Sequence, residues 1–316
     1  MALAAQLQWF LGMGVSSVFS LVYLVAPTYV LTALLALICQ YPTRHAAWLY
    51  ALPMLISAAI PSRGVPWMAP LLRPMLRYFD YHEIFEYSDD DFRRDAQRGK
   101  RYIVAVQPHG VISFVGICSW INAPPDFRTI KTAAAGVLLS FPVLKHVMGI
   151  FGLTDASAKN ITNHLTSRTG VDGSLVLYLG GIAELFMSCP DEERLYLSKR
   201  KGFIKIALRT GADVVPAYFY GNTRCLSVLK HGPLASLSRK VGASLTYFWG
   251  KAYLPIPRDE MLLYARGKPL GLPHIPEPTA HDIDKYHALY CKEVRRLFES
   301  YKEKLPNYKH KQLFID

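Results

Sequence analysis

The first sixty residues contain no aspartate or glutamate, and Arg44 is their only lysine or arginine. The remainder therefore carries nearly all the charge of a chain of 316 residues whose formal net charge is +12 at pH 7. An apolar segment beside a basic one suits an anionic membrane surface or a phosphorylated substrate. Nucleic acid is not expected as a partner, because the basic residues are interleaved with apolar runs and no nucleic-acid motif occurs.

Cysteine is also scarce: the five cysteines are widely spaced, and none forms a CxxC pair. This spacing disfavours a disulfide framework or a structural zinc site and favours a reducing compartment. The chain has no P-loop, no GxGxxG and no GxSxG, which argues against the corresponding nucleotide sites and against a serine hydrolase of the α/β type. The acidic and histidine residues between 281 and 287 are scattered around a predicted helix, so neither a metal nor a cofactor is expected.

A long uncharged run is what the chain does have. Residues 7–39 carry no charge and exceed the roughly 20 residues that cross a bilayer as a helix. A second apolar run, Ala46–Ile60, is about 15 residues long and marginal for a crossing. This pattern favours a membrane hairpin over residues 1–60, before a main domain over residues 61–316. A single crossing with an interfacial segment, and a re-entrant anchor, remain open. The early arginines of the main domain place it in the cytosol.

The rest of the chain alternates β-rich apolar runs with helical patterns, which predicts an α/β fold with a mixed sheet flanked by helices. Pro216 within one strand suggests an edge position or a bulge. Thr279 and Asp282 fit a capping box that opens the last helix. The predicted strands are Arg101–Gln107, Phe127–Thr132, Ser174–Leu179, Asp213–Tyr220, Ser244–Gly250 and Leu262–Arg266, and the predicted helices are Val111–Trp120, Leu138–Phe151, Ser157–Arg168, Ser198–Thr210 and 280–304.

His109 is the first candidate for chemistry, since it follows a buried strand and stands between Pro108 and Gly110. Strand ends are where α/β folds place reactive groups, and a glycine beside the imidazole lets a substrate approach closely. A histidine with a pKa near neutrality can remove the proton of an alcohol that attacks a carbonyl. The alternative is that His109 only caps the following helix.

Glu184 follows the next strand-end turn, Gly180-Gly181, and has apolar neighbours on both sides. A carboxylate in such surroundings needs a partner, and an imidazole would fit because the pairing stabilises its charged form. The alternative is an ordinary glutamate at a helix N-terminus, where the helix dipole favours negative charge.

Lys201, Lys205 and Arg209 recur every four residues and form one basic stripe on a helix, with Arg200 beside it. Such a stripe could hold phosphate groups. The alternative is a solvated helix face.

Three blocks of this sequence resemble the diacylglycerol O-acyltransferase type 2 family, which includes monoacylglycerol and wax-alcohol acyltransferases. They are Gln107–Gly110, Gly180–Glu184 and the long run Arg200–Pro216. The resemblance extends over about residues 70–305, with the motifs in the family's order. It implies a glycerolipid-acyltransferase-like fold and an acyl-CoA-dependent enzyme of the endoplasmic reticulum membrane and lipid droplets.

The resemblance implies that His109 is catalytic, that Glu184 is its acidic partner, and that Pro108 and Gly110 shape the turn. The basic block with which we expect acyl-CoA to interact contains Arg200, Lys201, Gly202, Phe203, Lys205 and Arg209. Two departures stand out: Gln107 replaces the first histidine of the family's His-Pro-His-Gly motif, and Asp80 replaces a proline after Tyr78-Phe79. The wider superfamily's His-x-x-x-x-Asp has Phe114 here at the aspartate position, so the orienting carboxylate must come from elsewhere.

The resulting hypothesis has diacylglycerol as acceptor. His109 removes the hydroxyl proton as the oxygen attacks the thioester, Glu184 orients the imidazole, and main-chain N–H groups near Gly110 or Gly180-Gly181 hold the oxyanion. Monoacylglycerol or a fatty alcohol fits the sequence equally well as acceptor. A lipid hydrolase or thioesterase and a non-catalytic lipid-droplet protein are more distant alternatives. Homo-oligomers are compatible with the sequence.

Overall fold

The computed structural model describes residues 2–187, 192–232, 236, 238 and 247–316. The predicted strand Ser244–Gly250 therefore lies partly outside the described residues.

The α-helices are, in chain order, α1 (Ala2–Cys39), α2 (Arg44–Ala59), α3 (Ala69–Leu72), α4 (Pro74–Tyr78), α5 (Asp89–Gln97), α6 (Phe114–Asn122), α7 (Gly136–Ser140), α8 (Leu144–Gly149), α9 (Ala158–Ser167), α10 (Gly181–Met187), α11 (Gly202–Thr210), α12 (Asn222–Cys225) and α13 (Ala280–Tyr301). The strands are β1 (Tyr81–Phe85), β2 (Tyr102–Gln107), β3 (Lys131–Ala134), β4 (Leu153–Asp155), β5 (Leu175–Tyr178), β6 (Glu192–Leu195), β7 (Asp213–Tyr220), β8 (Ser227–Val228), β9 (Phe248–Trp249), β10 (Leu262–Arg266) and β11 (Gln312–Ile315).

Seven strands form one sheet in the order β1-β10-β7-β2-β5-β3-β4. Strands β7, β2, β5, β3 and β4 run parallel to one another, whereas β10 is antiparallel to β7, and β1 is parallel to β10. The predicted mixed α/β sheet is thus confirmed. Because β2, β5 and β7 are parallel, their carboxyl ends share one edge of the sheet, as in other open α/β sheets with a site at that edge.

The two faces of this sheet are covered by different helices. On the face that we call the filled face, alternate residues such as Ile103 and Tyr218 pack in one core with α9, α11 and α13. On the other, the cavity face, residues such as Val104 and Phe219 pack with α4, α5 and α6. This alternation follows from the two-residue period of a strand and explains why β2 is buried at every position.

The uncharged segment forms a hairpin of two packed helices joined by a short connection at residues 40–43, and its predicted role as a membrane anchor stays a prediction. Tyr29 of α1 donates a hydrogen bond to the carbonyl oxygen of Tyr50 in α2, at 2.9 Å. Helix α1 is long and apolar enough to cross a membrane, by length and composition. Its 38 residues extend over roughly 57 Å, more than the hydrocarbon core of a bilayer.

The first half of α1 packs against the main domain rather than standing apart from it. Phe19 belongs to the core of the cavity face, and its ring lies 5.6 Å from that of Phe151. The absence of a side chain at Gly12 allows close approach to α4, since a Cβ there would lie 2.2 Å from the carbonyl oxygen of Pro74. At the other end of the hairpin, Lys145 and His146 of α8 contact the last carbonyls of α2, which is how basic side chains satisfy a helix C-terminus.

Several local predictions differ from the structure. Strand β3 begins only at Lys131, after a 3-10 turn, and the single helix predicted over Leu138–Phe151 is divided into α7 and α8 around Pro142. A proline cannot donate the helical hydrogen bond, which accounts for the break. Helix α11 begins at Gly202 instead of Ser198. The capping box of Thr279 and Asp282 is confirmed.

The predicted edge or bulge position of Pro216 is wrong, because β7 lies inside the sheet between β10 and β2. The last residue of β10, Arg266, pairs with Ala217, so Pro216 lies just beyond that ladder. Its carbonyl oxygen accepts from the N–H of Gly267, at 2.9 Å. A proline is tolerated at this position of a central strand because its nitrogen, which cannot donate a hydrogen bond, lies beyond the last residue pair of β10 and β7.

Candidate active site

His109 lies two residues beyond the end of β2, in a turn that begins with the cis peptide bond between Gln107 and Pro108. Gly110 has a φ of +65°, a conformation that a side chain disfavours, and a Cβ there would lie 2.6 Å from the amide nitrogen of Asn222. The glycine is thus required both by the backbone and by the close neighbour. Gln107 is buried toward the filled face, where its side-chain oxygen accepts a hydrogen bond from Tyr290.

The imidazole of His109 is oriented by its own main chain. Its Nδ1 lies 2.8 Å from the carbonyl oxygen of Gly110. A carbonyl can only accept, so in this arrangement Nδ1 carries the proton and Nε2 keeps its lone pair. Burial lowers the pKa of His109, and the hydrogen bond to Gly110 opposes that shift. The ring is therefore neutral at physiological pH and able to accept a proton.

Glu184, in the first turn of α10, reaches back to the His109 turn but contacts its main chain. One carboxylate oxygen accepts from the His109 N–H at 3.2 Å, and the other accepts from the Tyr196 N–H at 3.3 Å. The predicted pairing of this carboxylate with the imidazole is not what the structure shows. Nδ1 of the imidazole already has a partner in the carbonyl oxygen of Gly110. The carboxylate instead accepts from the main-chain N–H groups of His109 and Tyr196.

The turn before α10 is shaped around that carboxylate. A Cβ at Gly180 would lie 1.7 Å from Cδ of Glu184, so no other residue fits there without displacing the side chain. Gly181 begins α10 with a φ of +55°. Burial raises the pKa of Glu184 to about 7, although the two N–H bonds oppose the shift. The charge of Glu184 is consequently sensitive to pH in the physiological range.

Asn222 supports the His109 turn from the opposite side. It lies directly after Gly221 at the end of β7, and its amide donates to the carbonyl oxygen of His109 while its side-chain oxygen accepts from the N–H of Val115 at 3.2 Å. Its side chain is almost fully buried. Asn222 is not among the residues predicted from the sequence, although the rule that indicated His109 and Glu184, a polar residue just after a buried strand, applies equally to it.

Tyr178 lies between the imidazole of His109 and a cavity on the cavity face. Its ring lies 4.7 Å from that of His109, edge to face, and its hydroxyl donates to Ser113 at 2.9 Å. Ser113 in turn caps α6. Helix α6 can approach Tyr178 because residue 116 is a glycine, whose Cβ would clash with the tyrosine hydroxyl.

The cavity has a volume of about 300 Å³ and runs between α6 and the sheet. Its lining is mainly apolar but includes charged residues, among them Arg266, which pairs with Asp89 at 2.6 Å. Its lining comprises Glu83, Phe85, Asp89, Phe92, Val104, Val106, Gly116, Ser119, Trp120, Asn122, Ala123, Pro124, Phe127, Ile130, Thr132, Val176, Tyr178, Phe219, Tyr264 and Arg266.

The predicted acyl-CoA-binding block is divided by the structure. Arg200 is exposed in the turn before α11, close enough to Glu184 to lower its pKa. Lys201 pairs with Asp284 at 2.7 Å. The exposed Gly202 begins α11, and Phe203 is buried in the filled-face core, with its ring 4.9 Å from that of Tyr290.

Lys205 and Arg209 are exposed on later turns of α11. Because α11 leads into the amino end of β7, it runs away from the edge that carries His109. Of the predicted basic block, Arg200 is the residue whose charge acts on Glu184, and acyl-CoA contact by any member of the block stays a prediction.

Comparison with known proteins shows which families and structures this chain is similar to. A family model described as diacylglycerol acyltransferase matches residues 37–316. Diacylglycerol O-acyltransferase 2 of Danio rerio is 28% identical over 222 residues, which cover 64% of this chain and 61% of the relative. Acyl-CoA wax alcohol acyltransferase 1 of Mus musculus is 30% identical over 228 residues, which cover 66% of this chain and 69% of the relative. The match thus spans about three fifths of the first of these relatives.

Among solved structures, a 1-acyl-sn-glycerophosphate acyltransferase from Thermotoga maritima is similar with a TM-score of 0.43 and 13% identity, over 90% of this chain and 97% of that one.

Proposed function

The chain belongs to the diacylglycerol acyltransferase family, and we propose that it is an acyl-CoA-dependent O-acyltransferase that converts diacylglycerol to triacylglycerol. The observation that carries this proposal is the imidazole of His109, which is neutral, oriented through Nδ1, and adjacent through Tyr178 to an apolar cavity. A base with a free Nε2 beside a space for a hydrocarbon chain is what transfer of an acyl group to an alcohol needs.

In the proposed reaction the hydroxyl of the acceptor donates to Nε2 of His109. The imidazole takes that proton as the hydroxyl oxygen attacks the thioester carbonyl. Collapse of the tetrahedral intermediate breaks the carbon–sulfur bond, and the thiolate of CoA leaves with the proton from the imidazolium. Main-chain N–H groups at Gly110 or at Gly180-Gly181 are our candidates for holding the oxyanion.

Glu184 acts in this scheme by fixing the His109 turn, since its carboxylate accepts the His109 N–H. It is a positioning residue and also places negative charge near the imidazolium that forms. The Asn222 amide fixes the same turn by donating to the His109 carbonyl.

The cavity beneath α6 is our candidate for the acyl chain. Most of its lining is aliphatic or aromatic, and Tyr178 is shared between its wall and the imidazole. Burial of a chain there would be favoured by about 0.8 kcal/mol for each methylene. The exposed Arg200, at the same edge of the sheet, is the member of the basic block best placed to meet a phosphate of CoA.

Membrane association fits both substrates, because the acceptor and the acyl chain partition into a bilayer. We propose that α1 and α2 anchor the chain in the endoplasmic reticulum membrane, with residues 61–316 facing the cytosol, and that the protein also reaches lipid droplets. The apolar, largely exposed surface of α1 supports an anchoring role. The basic residues that follow α2 support the orientation.

Two other acceptor alcohols fit the same site. The similarity to a wax alcohol acyltransferase at 30% identity favours a fatty alcohol as the second candidate. Monoacylglycerol remains a third, and all three present a hydroxyl on an apolar body.

The test uses membranes from cells that lack neutral-lipid synthesis and express the full chain. Labelled acyl-CoA is supplied with diacylglycerol, monoacylglycerol or fatty alcohol in parallel. We expect label in triacylglycerol that disappears in His109→Ala and persists in His281→Ala, which removes an exposed histidine as a matched control. Label in another ester would change the acceptor. Free fatty acid alone would indicate hydrolysis, and no product from folded protein would refute an enzymatic role.

A further inference from the structure

The segment that follows α13, residues 305–316, folds back to the candidate site, and we call it the clamp segment. Its strand β11 pairs in parallel with β6, from Gln312 opposite Glu192 to Ile315 opposite Leu195. Tyr308 and Lys311 in the preceding turn are fully buried. A fully buried lysine is rare unless it is paired, so its partner indicates what the segment holds.

That partner is Glu193 of β6. The ammonium group of Lys311 lies 2.8 Å from a carboxylate oxygen of Glu193, and both side chains are almost completely buried. The same carboxylate oxygen accepts from the hydroxyl of Thr223 at 3.0 Å. Thr223 is adjacent to Asn222, which contacts His109. One ion pair therefore joins the clamp segment to the turn that supports the imidazole.

Tyr308 makes a second tie to that turn. Its hydroxyl oxygen accepts from the N–H of Gly221 at 2.9 Å. Gly221 has a φ of +82°, and a Cβ there would lie 2.2 Å from the carbonyl oxygen of Met261, so this turn has little freedom to move. Asn222 is thus fixed from both sides, by Tyr308 through Gly221 and by Glu193 through Thr223.

The clamp segment also reaches the other support of His109. Tyr196 directly follows β6, and its N–H binds the carboxylate of Glu184. The residues around it are held by the same segment, since the N–H of Leu197 donates to the carbonyl of Asp316 at 3.0 Å. Both groups that fix the His109 turn, Asn222 and Glu184, therefore depend on residues 305–316.

From this convergence we propose that the clamp segment is a positioning element of the active site, and that the Lys311–Glu193 ion pair is the contact through which it acts. The proposal rests on the proposed role of His109. Lys311 touches no reacting atom in this scheme. It keeps the Asn222 turn and β6 in register and balances the charge of Glu193 near Glu184.

The charges that act on Glu184 come from several elements. Glu193 of β6 raises its pKa, and Arg200 before α11 lowers it. Tyr218 of β7 and Tyr290 of α13 are also within electrostatic range of its carboxylate, and their own pKa values are raised far enough that both stay neutral. Loss of the Lys311 charge would leave Glu193 unbalanced and raise the pKa of Glu184 further.

The experiment compares Lys311→Met, Lys311→Arg and the double variant Lys311→Met/Glu193→Gln in the full chain, in nanodiscs. Lys304→Met is the matched control, since it removes the same charge from an exposed position just outside the clamp segment. Two readouts are followed against pH: acyl transfer, as kcat and KM, and the rate at which diethyl pyrocarbonate modifies His109, by mass spectrometry. The second needs no substrate, so it tests positioning even if the acyl-transfer proposal fails.

For Lys311→Met we expect kcat to fall about 10–100-fold with little change in KM, as for a misplaced catalytic group. The acidic limb of both pH profiles should move to higher pH. Lys311→Arg should restore most of the activity. In the double variant the acidic limb should return toward its wild-type pH because no charge is left unpaired, but kcat should stay reduced and the plateau rate of His109 modification should stay altered, because the ionic contact between the clamp segment and β6 is still missing. Lys304→Met should match wild type throughout.

A lower thermal stability with unchanged kcat and unchanged pH profiles in Lys311→Met, below its unfolding temperature, would reduce the clamp segment to a structural role. If Lys311→Met does not fold, the double variant decides. Wild-type kcat and a wild-type rate of His109 modification in that variant would overturn the proposal, and a slower kcat with an altered modification rate would support it.

Discussion

The two faces of the sheet are built from the same strands, yet they are used differently. On the filled face, Tyr218, Tyr220 and Phe298 are fully buried with their rings in contact, and α13 lies directly over β7. On the cavity face, α6 leaves a space of about 300 Å³ lined mainly by apolar side chains. Close packing is the normal state of a protein interior. The cavity face therefore lacks packing contacts that a bound substrate would supply in our scheme.

The largest effect is expected at the sheet edge that carries His109, where the two faces meet. His109→Ala should reduce acyl transfer by about 10²–10⁴-fold, because it removes the base that we propose. Its thermal unfolding should stay near that of wild type, since the ring is partly exposed and fills no core space. Near-wild-type transfer by the folded variant would exclude His109 as the base.

Next in size is a truncation on the filled face. Leu165→Ala should lower the free energy of unfolding by about 2–5 kcal/mol, as other buried Leu→Ala changes do. The activity of the molecules that remain folded should be unchanged, because α9 contacts no substrate in our scheme. Denaturant titration gives the stability, and transfer assays at low temperature give the activity. A selective loss of activity at full stability would show that the division between faces is incorrect.

A third test concerns the charge buried at the shared edge. The pKa of Glu184 is raised from 4.5 to about 7, so the folded state keeps a proton that the unfolded state releases. Stability should therefore fall as pH rises from 4.5 to 7 and level off above that, by at most about 3 kcal/mol from this group.

The slope is measured by unfolding wild type and Glu184→Gln at pH 5, 6, 7 and 8. The variant cannot ionise, so the difference in stability between the two proteins should change across this window and be constant above it. Parallel curves for the two proteins would contradict a raised pKa.

The smallest expected effect comes from placing a larger side chain on each face of the sheet in turn. Ala123→Phe places a ring in the cavity, where room exists, and should cost little stability while lowering kcat/KM for the longest acyl-CoA about ten-fold relative to short ones. Ala207→Phe is the matched change on the filled face, where Ala207 is fully buried. It should cost about 1–3 kcal/mol by overpacking and leave the chain-length preference unchanged.

Much of the sheet could be predicted from the sequence, because β2, β5 and β10 are short apolar runs between turn residues. The strand-end rule also brought His109 and Glu184 to one edge correctly. The contact between Glu184 and the main chain of His109 could not be predicted from the sequence, because it depends on which polar group of one turn faces the other turn. Strands β6 and β11 escaped prediction because Glu192–Leu195 carries three charged residues and is buried only by a partner from a remote part of the chain.

The basic stripe shows a related limit. A period of four residues places Lys201, Lys205 and Arg209 on one face of α11, and the structure confirms the helix over these residues. The sequence does not show that Asp284 pairs with Lys201. Nor does it show that α11 runs away from the sheet edge that carries His109. Periodicity identifies a helix face but not its surroundings.

The pairing of β11 with β6 has a consequence for how the protein is made. His109 is translated roughly 200 residues before Lys311, and contacts of such large sequence separation form late because loop closure is costly. A ribosome-bound chain that lacks residues 305–316 would have the main sheet but neither contact of the clamp segment with the Gly221–Thr223 turn. In our scheme, full activity would then begin only when β11 has docked on β6.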